Sequence, residues 1–240
     1  MGRFDAISGV ARSVISLAVP FRCAVCGDGT DPRARWPLCG TCSAAILERE
    51  NAMAEARRCV VCGKPLCSER GICMRCRSTS YAFDSACPLW RYGGELRSLV
   101  LEYKAGRRSL AGFFSEAVAR AVRQRYPGRV IVPVPPRPGK MRRKGWDQVE
   151  DIARMLEKHH GLEVARILVR ADGMQQKALG LEARTANMLG KVRVEEGASV
   201  PVDPILLDDV LTTGATLSAC AAALKLEGAS RVDAITIAAD

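Results

Sequence analysis

The residues Ile205-Leu206-Leu207-Asp208-Asp209-Val210-Leu211-Thr212-Thr213-Gly214-Ala215-Thr216-Leu217 place two acids and three threonines between an apolar run and a helical pattern. Ile205–Leu207 predicts a core strand that ends at Asp208 and Asp209, with a turn that opens a helix. A helix start offers free backbone N–H groups and a positive dipole end, both suited to a phosphate. Thr212, Thr213 and Thr216 add hydroxyl donors, and Gly214 allows close backbone approach. The acids suit the opposite partner: sugar hydroxyls, which need acceptors, and a nearby Mg²⁺. The rival reading is a tight turn whose acids face solvent. Two adjacent carboxylates at the end of a buried strand repel each other, which favours a ligand or metal beside them. No Gly-Lys-Ser/Thr occurs in the turn, so it is not a P-loop.

A second chemistry lies upstream. Nine of the eleven cysteines fall between Cys23 and Cys76. Cys23-x-x-Cys26 pairs with Cys39-x-x-Cys42, and Cys59-x-x-Cys62 with Cys73-x-x-Cys76. Each set fits two knuckles closing a four-thiolate Zn²⁺ site without an open position, so the zinc is structural. Gly27, Gly40 and Gly63 supply the tight knuckle turns. A disulfide framework and iron–sulfur ligation are the alternatives; odd cysteine parity and two-knuckle spacing favour zinc over them. Cys67 either replaces Cys62 or Cys73 as a ligand or stays free. Cys87 and Cys220 read as small buried residues. The two histidines, His159 and His160, end a predicted helix and suggest no Cys/His catalytic pair.

These groups need a frame. Hydrophobic residues make up 48% of the 240 residues, enough for a packed core plus a small accessory module. Composition changes near residue 80, which predicts a cysteine module over 1–80 and an α/β domain over 81–240. Within the latter, strands are predicted at Ala82–Arg91, Arg129–Val134, Val164–Val169, Ile205–Leu207 and Val232–Ala238. Helices are predicted at Glu95–Tyr103, Leu110–Val122, from Asp147 to Gly161, and at Leu217–Leu226 before Gly228. This alternation argues for a mainly parallel sheet flanked by helices, with its site at the carboxyl ends of the strands. Phe4, Ile7, Val10, Val14 and Leu17 recur at helical spacing; Asp5 and Arg12 interrupt that segment, which reads as an amphipathic helix rather than a signal peptide. No stretch is long enough to span a bilayer.

The formal net charge of +10 favours anionic partners or simply a solvated surface. The loop from Pro135 to Gly145 concentrates that charge in Arg137, Lys140, Arg142, Arg143 and Lys144. It reads as a nucleic-acid contact or a solvated loop. The segment Arg57–Arg77 is also basic, and suits a nucleic-acid or protein contact or a solvated face.

The Asp208–Thr216 block resembles the phosphoribosyl pyrophosphate (PRPP) motif of type I phosphoribosyltransferases. That resemblance implies that Asp208 and Asp209 meet the ribose hydroxyls and that Thr212, Thr213, Gly214, Ala215 and Thr216 hold the 5′-phosphate. Two further blocks narrow it. Pro133-Val134-Pro135-Pro136 leads into Arg142-Arg143-Lys144-Gly145-Trp146-Asp147-Gln148, and Gln176, Leu179, Arg184 and Asn187 follow at Q-x-x-L-x-x-x-x-R-x-x-N spacing. With the cysteine pairs ahead of them, nearly the whole chain is similar to the ComF family of bacterial competence-associated proteins. That family usually shows R-G-F-N-Q where this chain has Lys144 to Gln148, and an apolar strand residue where it has Pro204. The resemblance implies a type I phosphoribosyltransferase fold behind a zinc-ribbon module, with PRPP and Mg²⁺ as ligands. It assigns the pyrophosphate loop to Pro135, Pro136, Arg137, Arg143, Lys144 and Gly145. A mobile loop would carry Gln176, Arg184 and Asn187, although an ordinary linker would look similar. The implied setting is cytoplasmic, with single-stranded DNA and a DNA-uptake helicase as partners. Lys104, Arg107 and Arg108, and Lys140 to Lys144, are the candidate strand contacts. The alternative is an active phosphoribosyltransferase that passes phosphoribose to a nucleobase or other acceptor.

Overall fold

The computed structural model describes residues 22–31, 33–170 and 192–240. The expected N-terminal amphipathic helix and the loop carrying Gln176, Arg184 and Asn187 lie outside the described residues.

The centre is a sheet of four parallel strands: β1 (Ser85–Arg91), β2 (Ile131–Pro133), β5 (Ile205–Leu211) and β6 (Asp233–Ala239), in the order β1-β6-β5-β2. A separate antiparallel pair joins β3 (Leu168–Arg170) to β4 (Val192–Val194). Side chains alternate across the main sheet. Ile205, Leu207, Ile235 and Ile237 enter one core, whereas Leu206, Val132 and Ala234 enter the other. Both faces are covered, so the strands are apolar over most of their length, as buried parallel strands are.

The first face carries helices α1 (Gly40–Glu55), α3 (Gly94–Ala105), α4 (Ala111–Arg125) and α6 (Gln148–His160). Phe114, Ala117, Val118, Ala121 and Val122 form the buried stripe of α4. Asp147 caps α6 by accepting from the N–H groups of Val149 and Glu150, and Gly161 ends it in a left-handed conformation. The opposite face carries α7 (Ala215–Leu226) and the β3–β4 pair. Two short helices, α2 (Met74–Ser78) and α5 (Lys140–Lys144), sit in connecting segments. Among the described residues no helix is long and apolar enough to cross a membrane.

Three expectations need correction. β5 does not stop at Leu207. Its pairing with β6 runs on to Leu211, so both acids lie inside a hydrogen-bonded strand. The predicted strand Val164–Val169 is divided: Val164 bridges to Ile131 beside β2, and the chain then leaves to form β3. Helix α1 was hidden by the surrounding cysteines. The Cys39 Sγ accepts from the Cys42 N–H at its start, and Ile46 and Met53 bury its inner face.

At the amino ends of the strands, the buried Asp233 ties three segments together. It accepts from Arg129 at 2.6 Å, Arg231 at 2.7 Å and the Ser85 hydroxyl at 2.6 Å. Burial alone would raise this carboxyl, but the hydrogen bonds from Arg231, Ser85 and Arg129 outweigh it and hold the group below its ordinary range. Its stabilisation is therefore complete above roughly pH 4 and is lost as pH falls through the lowered folded value. Asp233→Ala leaves Arg129 facing a buried gap, with an expected loss of about 3 kcal/mol. Thermal unfolding at pH 7 checks this, and the variant should also show a shallower loss of stability on acidification than the parent.

Candidate functional site

A cleft of about 430 Å³ opens at the carboxyl ends of the strands. Tyr92 follows β1, Val134 to Arg137 follow β2, Asp208 to Thr212 close β5, and Asp240 follows β6. Parallel sheets gather their ligands at this end, where loops diverge and helix N-termini converge.

The two acids occupy adjacent strand positions and so turn to opposite faces. Asp209 turns toward α3 and α6. Lys104 Nζ lies 3.0 Å from its Oδ2, and the Gln148 side-chain amide donates to the same oxygen. Asp209 is thus partnered within the protein, and mutual repulsion of the acids does not by itself require a ligand. Asp208 Oδ1 accepts from the Asp209 N–H at 2.8 Å, but no cation pairs with this carboxylate among the described residues. Burial first, then the Asp209 charge, push Asp208 up to about 7. Beneath it, burial pushes the Cys220 thiol up to about 12, and the nearby Asp208 charge adds to the rise. Cys220 and Cys87 are buried, as expected of structural thiols.

Gln148 is held from two sides. The Tyr103 hydroxyl donates to its backbone carbonyl at 2.7 Å, and Lys140 Nζ donates to its side-chain oxygen and to Asp147. A polar chain thus runs from Asp147 through Lys140 and Gln148 to Asp209 and Lys104. Sequence reasoning treated Lys104 as a DNA contact and gave Gln148 no role. The block Lys144 to Gln148 at the predicted helix start was the available signal, but the reach of Gln148 to Asp209 depends on α6 packing against β5.

The basic loop divides into two sets. Pro135, Pro136, Arg137 and Lys140 line the cleft, while Arg143, Lys144 and Gly145 do not. Arg142 and Arg143 are exposed on α5, and Lys144 Nζ donates to the Lys104 carbonyl at 3.1 Å. Arg170, from β3, also lines the cleft and donates to the Pro135 carbonyl at 2.9 Å. The candidate patch of Lys104, Arg107 and Arg108 is committed internally. Arg107 pairs with Glu102, and Arg108 grips Asp151 through two bonds of 2.7 and 2.8 Å.

The turn after β5 forms a small cradle of about 30 Å³, lined by Asp208 and by Val210 to Leu217. Gly214 has φ +81, and a Cβ there would lie 2.7 Å from the Tyr81 ring. Glycine is therefore required twice over: for its conformation and for the space. The turn opens α7, a helix of 12 residues, so its dipole end and first-turn N–H groups lie at the cradle; of these the Ala215 N–H donates to the Thr213 hydroxyl at 3.3 Å.

The eight paired cysteines form two clusters, Cys23, Cys26, Cys39 and Cys42, and Cys59, Cys62, Cys73 and Cys76, each with ligand atoms within 4.8 Å of one another. No disulfide joins any of the eleven cysteines. The Cys26–Cys39 and Cys62–Cys73 sulfur separations are 3.8 and 3.7 Å. A tetrahedron with metal–sulfur bonds of about 2.3 Å has edges of about 3.8 Å, so both sets fit a tetrahedral metal ion. Burial works to raise Cys23 and Cys59, but backbone N–H donors prevail and bring them down to about 6 and about 7. Gly27 and Gly63 adopt left-handed turns in the knuckles, whereas Gly40 instead begins α1. Cys67 is exposed and belongs to neither cluster. The clusters lie on opposite faces of the sheet: Cys23 and Cys42 join the core under α1, Cys59 and Cys62 the core under α7.

No protein-family model matches the chain, and no curated protein matches it in sequence. Among solved structures it is similar to a hypoxanthine phosphoribosyltransferase from Staphylococcus aureus, with 15% identity and a TM-score of 0.32 over 54% of this chain and 62% of that one. It is also similar to the hypoxanthine phosphoribosyl transferase of Trypanosoma cruzi, with 12% identity and a TM-score of 0.34 over 54% and 62%. The chain thus covers less than two thirds of either neighbour's length. Likeness at this level is descriptive, and the chemistry of the cleft rests on its own residues.

With metal in both clusters, a thiol reagent should label Cys67 first, consuming about one equivalent before the others respond. Cys67→Ser should abolish that fast phase. Prompt labelling of both clusters in the native protein would contradict the tetrathiolate reading.

Proposed function

We propose that the cleft binds PRPP with Mg²⁺ and that the chain is a phosphoribosyltransferase-like protein of the ComF type. One observation carries this reading: acceptor carboxylates and an N–H-rich cradle share one cleft, at adjoining positions of a single strand and turn. The 5′-phosphate would enter the cradle of Thr212, Thr213, Gly214, Ala215 and Thr216. The ribose hydroxyls would donate to Asp208 and Asp209. Arg137, Lys140, Lys104 and Arg170 line the cleft, and the multiply charged pyrophosphate end requires cations. The volume suits a ligand of this size. Mg²⁺ supplies neutralisation of the pyrophosphate when bound, and the cleft carboxylates are the groups that would hold it. Gln176, Arg184 and Asn187 belong to this reading as a segment that covers the bound ligand. Zinc is the ion that best matches four thiolates at these separations, and its role here is to hold the fold.

The same reading makes the protein a cytoplasmic accessory in the handling of single-stranded DNA, with a DNA-uptake helicase as its partner. Exposed Arg142 and Arg143, which make no use of the cleft, are the contacts that support this part of the proposal. A second reading has one observation in its favour. A carboxyl raised to about 7 in a ligand cleft is what a general acid or base needs, so Asp208 would serve an active phosphoribosyltransferase. Pyrophosphate release from PRPP with a panel of nucleobases separates the two: release with one acceptor names an enzyme, and binding without release favours the accessory.

The binding claim has its own test. Asp208→Asn with Asp209→Asn keeps side-chain size and removes both charged acceptors. PRPP affinity by calorimetry should fall roughly 100-fold, or about 2–3 kcal/mol. Unchanged affinity would contradict the ribose assignment. The pH dependence follows from the raised Asp208. A ligand that prefers the carboxylate must displace its proton below about 7, so affinity should rise from pH 6 to pH 8 and then level off. A flat profile would separate Asp208 from the ligand.

A further inference from the structure

The second cysteine cluster reaches the ligand turn directly. Arg75 stands between the ligands Cys73 and Cys76, and its Nη1 donates to the Thr212 carbonyl at 2.6 Å. Six residues on, the Tyr81 ring packs against Gly214, leaving no room for a Cβ. The Ala82 N–H then donates to the Ser218 hydroxyl at 2.9 Å, in the first turn of α7. One short stretch therefore holds both the turn and the helix start.

That stretch is itself anchored to the sheet edge. The Ala86 N–H donates to the Val61 carbonyl at 2.7 Å, and Arg58 donates to the Pro88 carbonyl at 2.6 Å. At Gly63 a Cβ would lie 2.2 Å from the Ala86 carbonyl oxygen, so the knuckle sits hard against β1. The first cluster has no such link: among the described residues, no hydrogen bond or ion pair joins residues 22–42 to the turn.

The Thr212–Thr213 peptide is trans and planar, so its N–H points opposite to its carbonyl. With the carbonyl held by Arg75, the Thr213 N–H is directed away from the cysteine module. Release of the carbonyl would let that peptide, which lines the cradle, rotate.

We infer that Arg75 is a positioning residue for the ligand turn, and that the second cysteine cluster, unlike the first, sets the affinity of the cleft by holding Arg75 in place. The ligand named here rests on the PRPP reading. The positioning does not, and the test keeps them apart.

Amide hydrogen exchange over residues 212–218 and calorimetric PRPP·Mg²⁺ affinity are measured on the full chain. The variants are Arg75→Ala, Arg75→Lys and, as a control, Arg35→Ala, which lies near the first cluster and pairs with Glu116. Arg75→Ala should speed exchange in that segment and weaken affinity, each about tenfold. Arg75→Lys, which restores a cationic donor, should recover part of both, and Arg35→Ala should change neither. Cys76→Ser should reproduce the faster exchange at the turn, and Cys26→Ser should not. Unchanged exchange in Arg75→Ala overturns the inference; weaker affinity with unchanged exchange would mean that Arg75 meets the ligand itself. Equal effects of Cys76→Ser and Cys26→Ser overturn the assignment to the second cluster. A parent protein that binds no PRPP would remove the ligand reading, while the exchange comparison would still decide the positioning.

Discussion

The parallel pairing of β5 with β6 governs the arrangement of the cleft. Because the ladder continues through Asp208↔Thr236 to Leu211↔Ala239, the two acids are fixed by backbone hydrogen bonds and not by a loop. Strand alternation then assigns each acid to its own side. Asp209 is paired with Lys104 and hydrogen-bonded by Gln148, and Asp208 is left half-buried, with no cation on it among the described residues. The same ladder delivers the chain to Thr212 at the point where α7 must begin. Acceptor chemistry and donor chemistry thus become neighbours through a single continuous element. The polar groups around them are second in order: Lys104 needs α3, Gln148 needs α6, and both helices need the apolar face of β5 and β6 to pack against.

The cysteine clusters extend this frame at the β1 edge. Aromatic residues are only 5% of the chain, and several of them gather around Trp90 on the edge strand β1. The two cysteine clusters lie there, one beneath each face. The first brings α1 onto Trp90, whose indole N–H donates to the Ile46 carbonyl at 3.2 Å. The second brings the segment around Arg75 and Tyr81 onto the turn from Thr212 to Gly214. Four-thiolate sites are stiff and compact, which suits a module that must hold a neighbour's backbone in one orientation.

Much of this was legible in the sequence because the signals were local. The apolar run before Asp208, the Thr/Gly turn and the alternation of strand and helix patterns give the parallel α/β core, and the paired knuckles give both four-cysteine clusters. What was not legible depended on tertiary contact. The acids' place inside the ladder needs the register of β6, which no local pattern contains. Lys104 looked like a surface cation because its partner, Asp209, is far away in the chain. Arg108 looked free for the same reason, although it closes on Asp151. Helix α1 was missed although Ala44, Ala45, Leu47 and Glu48 favour helix, because the cysteine spacing drew the reading toward loops. The link from Arg75 to Thr212 joins two motifs that each seemed complete alone.

A structure of the protein with PRPP and Mg²⁺ tests the central claim most directly. The 5′-phosphate is expected in the turn from Thr212 to Thr216, the ribose hydroxyls on Asp208 and Asp209, and the pyrophosphate toward Arg137 and Lys140. A ligand bound elsewhere, or one seated in the cleft with its ribose turned away from both acids, would contradict it.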